Sequence, residues 1–529
     1  MAKTIEYKQR IASDSRIGVV GAGTMGSGIA LTALYADLHV TLYDVSQEML
    51  DKAKEYIEYH LNRKRKAINI KYLRLTKQLE DLRGSEVAIE AIPENLSLKQ
   101  ELFSRLDQIC PPPAILATNT STLPVTTIAA EMQRPERVAG MHFFNPAPVL
   151  PLVEVVRGAQ TAAETIKTLV SLGGKLGKTA VVTKDTPGFI VNRVARPFYG
   201  EALRLLGEGV ANHEQIDTLV EQSGGFRMGP FRLMDLIGID INFTATRSIY
   251  EQTFFEPRYR PHLIQAQMVG QKALGRKTGR GFYRYDLEEG EEKRDSYSAG
   301  SRGRWRVYLS PGTWAPGIRG LCEDLGFTVI ETKVKSHQDN SKDSKIGIVA
   351  AGQSEGLKEY VQELDRELPA DVPILCQGAE VRTEEAATWL SHPERLTGFD
   401  GLFLANGEIA TLTASPTIGS QSQTLVNSFF NDLGFSSIWI KDSPGLILPR
   451  IVSALVNEAA FAAGEGVAEP DIIDTAMRLG TNYPHGPIEW GQKIGYNRII
   501  RVLEHLRAEY GEERYRVAPS LRSWGRREA

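Results

Sequence analysis

A histidine followed twelve residues later by a glutamate inside an apolar run is the first place where this sequence could do chemistry. His142 stands in Gly140-Met-His-Phe-Phe-Asn-Pro-Ala-Pro148, at the end of an apolar stretch and beside two phenylalanines and a proline-rich turn. Glu154 is embedded in Leu152-Val-Glu-Val-Val156, where a carboxylate withdrawn from water needs a partner. An acid that holds a histidine fixes its tautomer and stabilises the imidazolium, which makes a general base suited to neutral pH. Spacing alone leaves a second reading open, in which His142 is a satisfied core histidine.

A phosphate-binding loop is the other candidate. Gly21-Ala-Gly-Thr-Met-Gly26 follows the short apolar run Ile17–Val20 and opens the helical pattern Ile29–Leu34. Gly21 permits the tight turn, Gly23 lets backbone N–H groups approach a pyrophosphate, and Gly26 allows close helix–sheet packing. With Thr24 and Met25 they bring the positive end of a helix to the phosphates. Asp44 lies 18 residues after Gly26, at the end of the strand candidate His39–Tyr43, where a carboxylate accepts hydrogen bonds from the adenosine ribose. A 2′-phosphate would be repelled there, which favours NAD over NADP. The alternative is a flexible glycine turn with Asp44 as a surface acid. FAD uses the same loop, but the remaining motifs do not suit a flavoenzyme.

The elements that position these groups read as short strands alternating with helical, charged segments: Val87–Ile89, Ala114–Ala117 and Leu152–Val153 follow the first two strands. That alternation predicts a parallel, doubly wound α/β sheet. From about Asp185 to Gly281 the pattern turns helical, as in Asn192–Leu206 and Glu214–Ser223. Residues 286–304 are polar and rich in Gly and Ser, the clearest linker in the chain.

After the linker the chain repeats itself. Lys184-Asp-Thr-Pro-Gly188 returns as Lys441-Asp-Ser-Pro-Gly445, and Gly207-Glu-Gly-Val-Ala211 as Gly464-Glu-Gly-Val-Ala468, both shifted by 257 residues. Met228-Gly-Pro230 matches His485-Gly-Pro487 at 257, and Pro135-Glu-Arg137 matches Pro393-Glu-Arg395 at 258. The predicted architecture is a Rossmann-like doubly wound sheet plus an all-α domain, tandemly duplicated. Its parts are a polar tail (1–14), a dinucleotide-binding domain (15–185), a helical domain (186–285), a linker (286–304), a degenerate Rossmann-like domain (305–440) and a second helical domain (441–529).

Composition narrows the function. The chain has 529 residues, 62 Lys+Arg against 65 Asp+Glu, and a net charge of −3, which argues against a nucleic-acid binder. The three cysteines, Cys110, Cys322 and Cys376, are far apart and form no CxxC, so neither a disulfide framework nor a metal site is readable. No apolar run is long enough for a membrane span and the start has no apolar signal core, so a cytoplasmic enzyme is expected.

Taken together, the ordered motifs resemble the 3-hydroxyacyl-CoA dehydrogenase family. They are Gly21–Gly26, Ala91-Ile-Pro-Glu-Asn95, Ala117-Thr-Asn-Thr-Ser121, His142–Pro146, Leu152–Val155, Asp185–Arg193 and Gly275-Arg-Lys-Thr-Gly-Arg-Gly-Phe-Tyr283. The duplicated length resembles the form that bacteria use in phenylacetate catabolism. The resemblance implies NAD as cofactor and a 3-hydroxyacyl-CoA as substrate, with His142 taking the hydroxyl proton and Glu154 orienting it. It also implies that Ser121 and Asn192 bond the hydroxyl or thioester oxygen, and that Glu94 and Lys99 contact the cofactor near its nicotinamide and ribose. On the residues alone, Ser121 and Asn192 read more readily as helix caps, and Lys99 has a solvated helix face as its alternative. The basic run Asn62-Arg-Lys-Arg-Lys66, with Lys71 and Arg74, could neutralise a coenzyme A phosphate or simply be a solvated face.

The second copy loses these groups. Asp400 aligns with His142, Pro449 with Asn192 and Glu380 with Ser121, while the phosphate loop becomes Ser310-Pro-Gly-Thr-Trp-Ala-Pro-Gly317. Proline has no N–H to offer a phosphate, so no NAD site and no chemistry are expected in 305–440. In the family, helical domains pair to form a dimer, so residues 441–529 are expected to pack on residues 186–285 as an internal partner. Further self-association into a homo-oligomer stays open. The competing functions are a catalytically idle NAD-binding sensor or structural protein and a multifunctional enzyme with an added hydratase.

Overall fold

The computed structural model describes residues 15–64, 67–285, 305–309, 316–331, 344–349, 356–404 and 408–528. The polar tail, the linker, residues 310–315 of the proline-bearing loop, and Arg65 and Lys66 of the basic run lie outside them.

The first half folds around an eight-stranded sheet of β1 (Arg16–Val20), β2 (His39–Tyr43), β3 (Leu73–Thr76), β4 (Val87–Glu90), β5 (Ile115–Thr118), β6 (Val138–Phe143), β7 (Leu152–Arg157) and β8 (Thr179–Lys184), in the order β3-β2-β1-β4-β5-β6-β7-β8. All neighbours are parallel except β6 and β7. Strands covered on both faces read as continuous apolar runs, because neither face meets water. Every residue of β4, β5 and β6 is buried, Glu90 and His142 included. The helix Thr24–Tyr35 is buried from Gly26 to Leu34, so it lacks the one-sided pattern of a surface helix.

The second sheet contains β9 (Trp305–Leu309), β10 (Thr328–Glu331), β11 (Ser344–Val349), β12 (Ile374–Gln377), β13 (Leu396–Phe399), β14 (Ile409–Ala414) and β15 (Ser436–Ile440), ordered β10-β9-β11-β12-β13-β14-β15. Its one antiparallel pair, β13 with β14, corresponds to β6 with β7. It is the same sheet repeated, lacking a counterpart of β3 among the described residues. The doubly wound, tandemly duplicated architecture expected from the sequence is what the fold has.

The chain divides into two compact units that interleave the copies. One contains residues up to Val194 together with Glu251–Thr253 and Ala462–Ile488. The other contains Ala195–Tyr250, Phe254–Phe461 and Glu489–Ala529. In the first unit, the second-copy helix Pro470–Thr481 packs on β7 and on the short helix Val191–Val194. There the Lys184 N–H donates to Val467 O at 3.0 Å and Arg193 meets Glu465 at 2.8 Å.

The second unit contains the same contacts shifted by 257 residues. The Lys441 N–H donates to Val210 O at 2.9 Å, and Arg450 meets Glu208 at 2.8 Å. Arg450 is wholly buried and also bonds Glu201, Tyr510 and Tyr515 at 2.8, 3.0 and 3.0 Å. The first copy's Tyr259 donates its hydroxyl to Glu458 of the second copy at 2.5 Å.

Candidate active site

The β6–β7 register places His142 directly opposite Glu154. A cross-strand neighbour in an antiparallel pair is within side-chain reach, and the Nδ1 to Oε2 distance is 2.7 Å. Glu154 is fully buried, and its other oxygen accepts the N–H groups of Ile190 and Val191, both at 3.0 Å. With one oxygen tied to two amides and the other facing Nδ1, the carboxylate favours a proton on Nδ1 and leaves Nε2 as the acceptor. Nε2 has no hydrogen-bond partner among the described residues. The rings of Phe144 and Phe189 flank the imidazole at 4.5 and 5.8 Å between centroids. Asn192 is half-buried and is the second residue of the short helix whose first amide holds Glu154, so it lies inside that helix.

The glycine loop has the geometry a dinucleotide needs. Gly21 has φ +101°, and a Cβ there would lie 2.7 Å from Ala91 O. At Gly26 a Cβ would come within 1.7 Å of Gly21 O, so helix and turn could not approach with any side chain present. A Cβ on Gly23 would meet nothing within 4 Å, which leaves its outer side open to a ligand. Gly23 gives the helix no side-chain cap, so the first-turn amides, including those of Thr24 and Met25, stay available to phosphate oxygens. The Asp44 carboxylate accepts the Ala22 N–H at 2.7 Å and the Ser46 N–H at 2.9 Å, one on each oxygen. This holds it beside the loop with lone pairs left for ribose hydroxyls. These residues fit NAD.

Between loop and dyad lies a network that the sequence only half discloses. Glu94 Oε1 accepts from the Thr120 hydroxyl at 2.6 Å and from the Ser121 and Thr122 amides at 3.0 Å. Burial pushes its carboxyl up, but Lys99 at 3.3 Å and these donors outweigh that and hold it below the usual carboxylate range. Ser121 caps nothing: the next helix, Val125–Ile128, has Pro124 at its cap, and the amides of Val125 and Thr126 go to Asp185. Its hydroxyl has no partner among the described residues.

Lys99 is only 1% exposed, which removes the solvated-face reading. Its ammonium lies 2.6 Å from Glu90, a fully buried acid that also accepts the Thr118 hydroxyl at 2.7 Å. Lys99 is thus clamped between Glu90 and Glu94 on the inner side of the site.

Three residues were missed. Glu90 had a weak signal, an acid ending the apolar run Val87–Ile89. Asn119 accepts the Phe143 N–H at 2.8 Å and ties the Ser121 loop to the strand of His142. Lys178 is buried and donates to Ala147 O and Leu150 O at 2.5 and 2.7 Å, pinning the loop that joins β6 to β7. Burial, with Lys64 adding to it, lowers this ammonium to about 8. In the basic run, Lys64 lies over the Tyr35 ring, Lys71 over Tyr72, and Arg74 pairs with Asp81.

The groups gather at the carboxyl ends of β1, β2, β4, β5 and β6, around the point where the strand order reverses between β1 and β4. Open α/β sheets bind their ligands at this edge. Among the described residues no cluster of His, Cys, Asp and Glu could hold a metal ion, and no helix is long and apolar enough to cross a membrane.

The second copy repeats the supports and has other residues at the dyad positions. Arg395 grips Asp365 as Arg137 grips Asp107, and Asp442 accepts the Thr383 and Glu384 amides as Asp185 does those of Val125 and Thr126. Asp400 and Thr411 stand where His142 and Glu154 do, joined backbone to backbone at 3.0 Å. Glu380 is held by Arg501 at 2.7 Å, and Pro449 lies in the helix Leu448–Gly464.

Burial pushes the Asp400 carboxyl up to about 7 from an ordinary 3.8, against the pull of the Leu402 and Phe403 amides. A raised folded-state value means that the folded protein holds this proton while the unfolded chain has released it. The contribution of Asp400 to stability therefore falls as pH rises from about 4 to about 7. Asp400→Asn keeps an oxygen for both amides and removes the charge. It should stabilise the protein by on the order of 2 kcal/mol near pH 8 and leave stability near pH 4 unchanged, read from melting curves at both. A pH-independent effect would refute the burial argument.

The arrangement, a histidine–glutamate pair beside a dinucleotide loop, is that of a Rossmann-type dehydrogenase site. Residues 16–186 match the model for the NAD-binding domain of 3-hydroxyacyl-CoA dehydrogenase, and residues 188–285 and 445–528 match the C-terminal domain of the same family. The chain is 37% identical over 515 residues to the 3-hydroxyadipyl-CoA dehydrogenase of Escherichia coli K12, covering 96% of each. Its first half is 42% identical over 280 residues to a probable 3-hydroxybutyryl-CoA dehydrogenase of Bacillus subtilis, covering 51% of this chain and 97% of that one. The crystal structure of a 3-hydroxybutyryl-CoA dehydrogenase from E. coli K12 superposes with a TM-score of 0.80 at 36% identity, covering 97% of this chain and 99% of that one. The chain belongs to the 3-hydroxyacyl-CoA dehydrogenase family, and is an NAD-dependent oxidoreductase.

Proposed function

We propose that the protein oxidises an (S)-3-hydroxyacyl-CoA to the 3-oxoacyl-CoA with His142 as the base, and that its substrate is 3-hydroxyadipyl-CoA. The observation that carries the chemistry is the buried His142–Glu154 pair at 2.7 Å with Nε2 left to accept a proton. Nε2 takes the proton of the substrate 3-hydroxyl. Glu154, fixed by two amides, keeps the ring oriented and stabilises the imidazolium as charge develops on it. The nicotinamide of NAD accepts the hydride that leaves C3. Ser121 and Asn192 hydrogen-bond the substrate oxygens. Glu94 faces the cofactor, and Lys99 acts on it through Glu94.

For the acyl group, the support is a relative of matching length, alike across both copies. A short-chain 3-hydroxybutyryl-CoA is the second reading, favoured by the name of the superposing structure. Initial rates of NADH formation on the two substrates separate them: kcat/KM should be higher for 3-hydroxyadipyl-CoA, and the reverse order would assign the short chain.

Gly21, Gly23, Thr24, Met25 and Gly26 hold the pyrophosphate and Asp44 the ribose. Asp44→Ala removes the acceptor for the ribose and for the Ala22 amide. It should raise the KM for NAD by about tenfold or more, roughly one charge-assisted hydrogen bond, while narrowing the preference over NADP. An unchanged NAD/NADP ratio would remove Asp44 from the ribose site.

The second copy has no dinucleotide site and no dyad in this reading. Its helices serve as an internal partner for the first copy's, through Arg450 with Glu201 and Glu208. The three described cysteines are free and buried, in keeping with a reducing cytoplasm.

A further inference from the structure

The dyad is held from behind by the copy that has lost its own. Glu154 owes its orientation to the Ile190 and Val191 amides, and Val191 is pressed from the far side by the second-copy helix Pro470–Thr481. The contact is close: a Cβ on Gly480 would lie 2.9 Å from Leu152 Cδ2 and 3.0 Å from Val191 Cγ2. Leu152 begins the strand that carries Glu154. Two polar links fix the same segment, Arg193 to Glu465 at 2.8 Å and the Lys184 N–H to Val467 O at 3.0 Å. The short helix Val191–Val194 spans four residues, too few to hold its own place by propensity, so its position is set by what packs on it.

We propose that the second-copy segment Ala462–Ile488 is a positioning element of the active site: through Gly480 on Val191 and Glu465 on Arg193 it sets the amides that hold Glu154, and thereby the ring of His142. The inference rests on the reading of His142 as base. It gives the degenerate copy a part in the reaction, and it assigns Gly480 a requirement that its open helical position would not suggest. Any side chain there meets both Leu152 and Val191.

Gly480→Ala in the full-length protein tests this, since alanine suits a helix better than glycine and any loss of rate is not a loss of helix. The added methyl has to displace Val191 by a few tenths of an ångström, together with the end of the Leu152 side chain. We expect kcat to fall about tenfold with KM for acyl-CoA and NAD within about twofold, because misplacement of a reacting group is read in turnover. With its amide bonds lengthened, Glu154 keeps more charge for the imidazolium. The acid limb of the kcat profile should therefore move up by about half a pH unit. Adding Val191→Ala removes the Val191 side of the clash, leaving only the flexible end of the Leu152 side chain to give way, and should restore kcat and the profile together.

Unaltered kcat and pH profile in Gly480→Ala, or no recovery in the double variant, would overturn the proposal. If Gly480→Ala accumulates poorly, Glu465→Gln, which adds no volume, should still shift the profile in the same direction, and no shift there counts against it equally. The two levels of the reading separate cleanly. Activity surviving in His142→Gln removes the base and the inference with it; an inactive His142→Gln beside an unaffected Gly480→Ala removes only the inference.

Discussion

His142→Gln should lower kcat by about 10³- to 10⁴-fold while leaving the Kd for NAD within about twofold. Glutamine is close to histidine in reach, and its amide N–H₂ can donate to the Glu154 oxygen that Nδ1 faces at 2.7 Å. The dyad's packing between Phe144 and Phe189 therefore survives, and only the Nε2 acceptor is lost. The glycine loop and Asp44 are separate from this change, because their bonds run to Tyr43, Ala22 and Ser46. Stopped turnover with intact NAD binding, measured by NADH formation and by fluorescence titration, is the expected pattern. Retained turnover would mean that a different group takes the proton, and weakened NAD binding would mean that the histidine serves the cofactor.

The second large effect is on stability. Arg450 is wholly buried and bridges Glu201 and Glu208 of the first copy with Tyr510 and Tyr515 of its own. Glu201 is itself buried; burial raises its carboxyl, and the charges of Arg450 and Arg204 more than reverse this and hold it low. A group with a depressed folded-state value contributes stability above its unfolded value, and loses it as pH falls through the folded one.

Arg450→Met preserves volume and leaves that carboxylate with only Arg204 at 3.5 Å and the Tyr515 hydroxyl at 2.9 Å; breaking a buried pair on one side costs about 3–5 kcal/mol. The apparent Tm should drop by about 5 °C or more near pH 8, and the deficit should shrink toward pH 5 as Glu201 takes up a proton. Adding Glu201→Gln should recover part of the loss, because it removes the buried acid that has lost its main partner. A wild-type Tm in Arg450→Met would show that the joint contributes nothing, and the internal-partner reading would fail with it.

How much was legible follows the range of each interaction. The glycine loop and Asp44 lie within one strand–helix–strand stretch, so residue type and spacing carry their geometry directly. His142 and Glu154 were each visible, but their meeting depends on β6 and β7 running antiparallel in one register, which no local pattern states. The solvated-face alternative for Lys99 stayed open because its partner, Glu90, comes from a strand and not from its own helix.

The duplication was plain from its repeated landmarks. Which copy's helices cover which sheet was not, since an apolar stripe says that a face is buried and not by what. Val467 against Lys184 and Val210 against Lys441 carry that information, and both are backbone bonds that leave no trace in side-chain identity.

The two joints, Arg193 with Glu465 and Arg450 with Glu208, are one contact made twice on a single chain. In a homodimer of identical subunits each substitution is written into both sides of the interface at once. Here the two sides are encoded separately, so one can change while the other stays. Tethering also makes their encounter intramolecular, at an effective concentration set by the connecting chain and not by the protein's own concentration. Such a pairing does not come apart on dilution. It also lets one partner keep its grip after the positions of the dyad in its own sheet have become an aspartate and a threonine, Asp400 and Thr411.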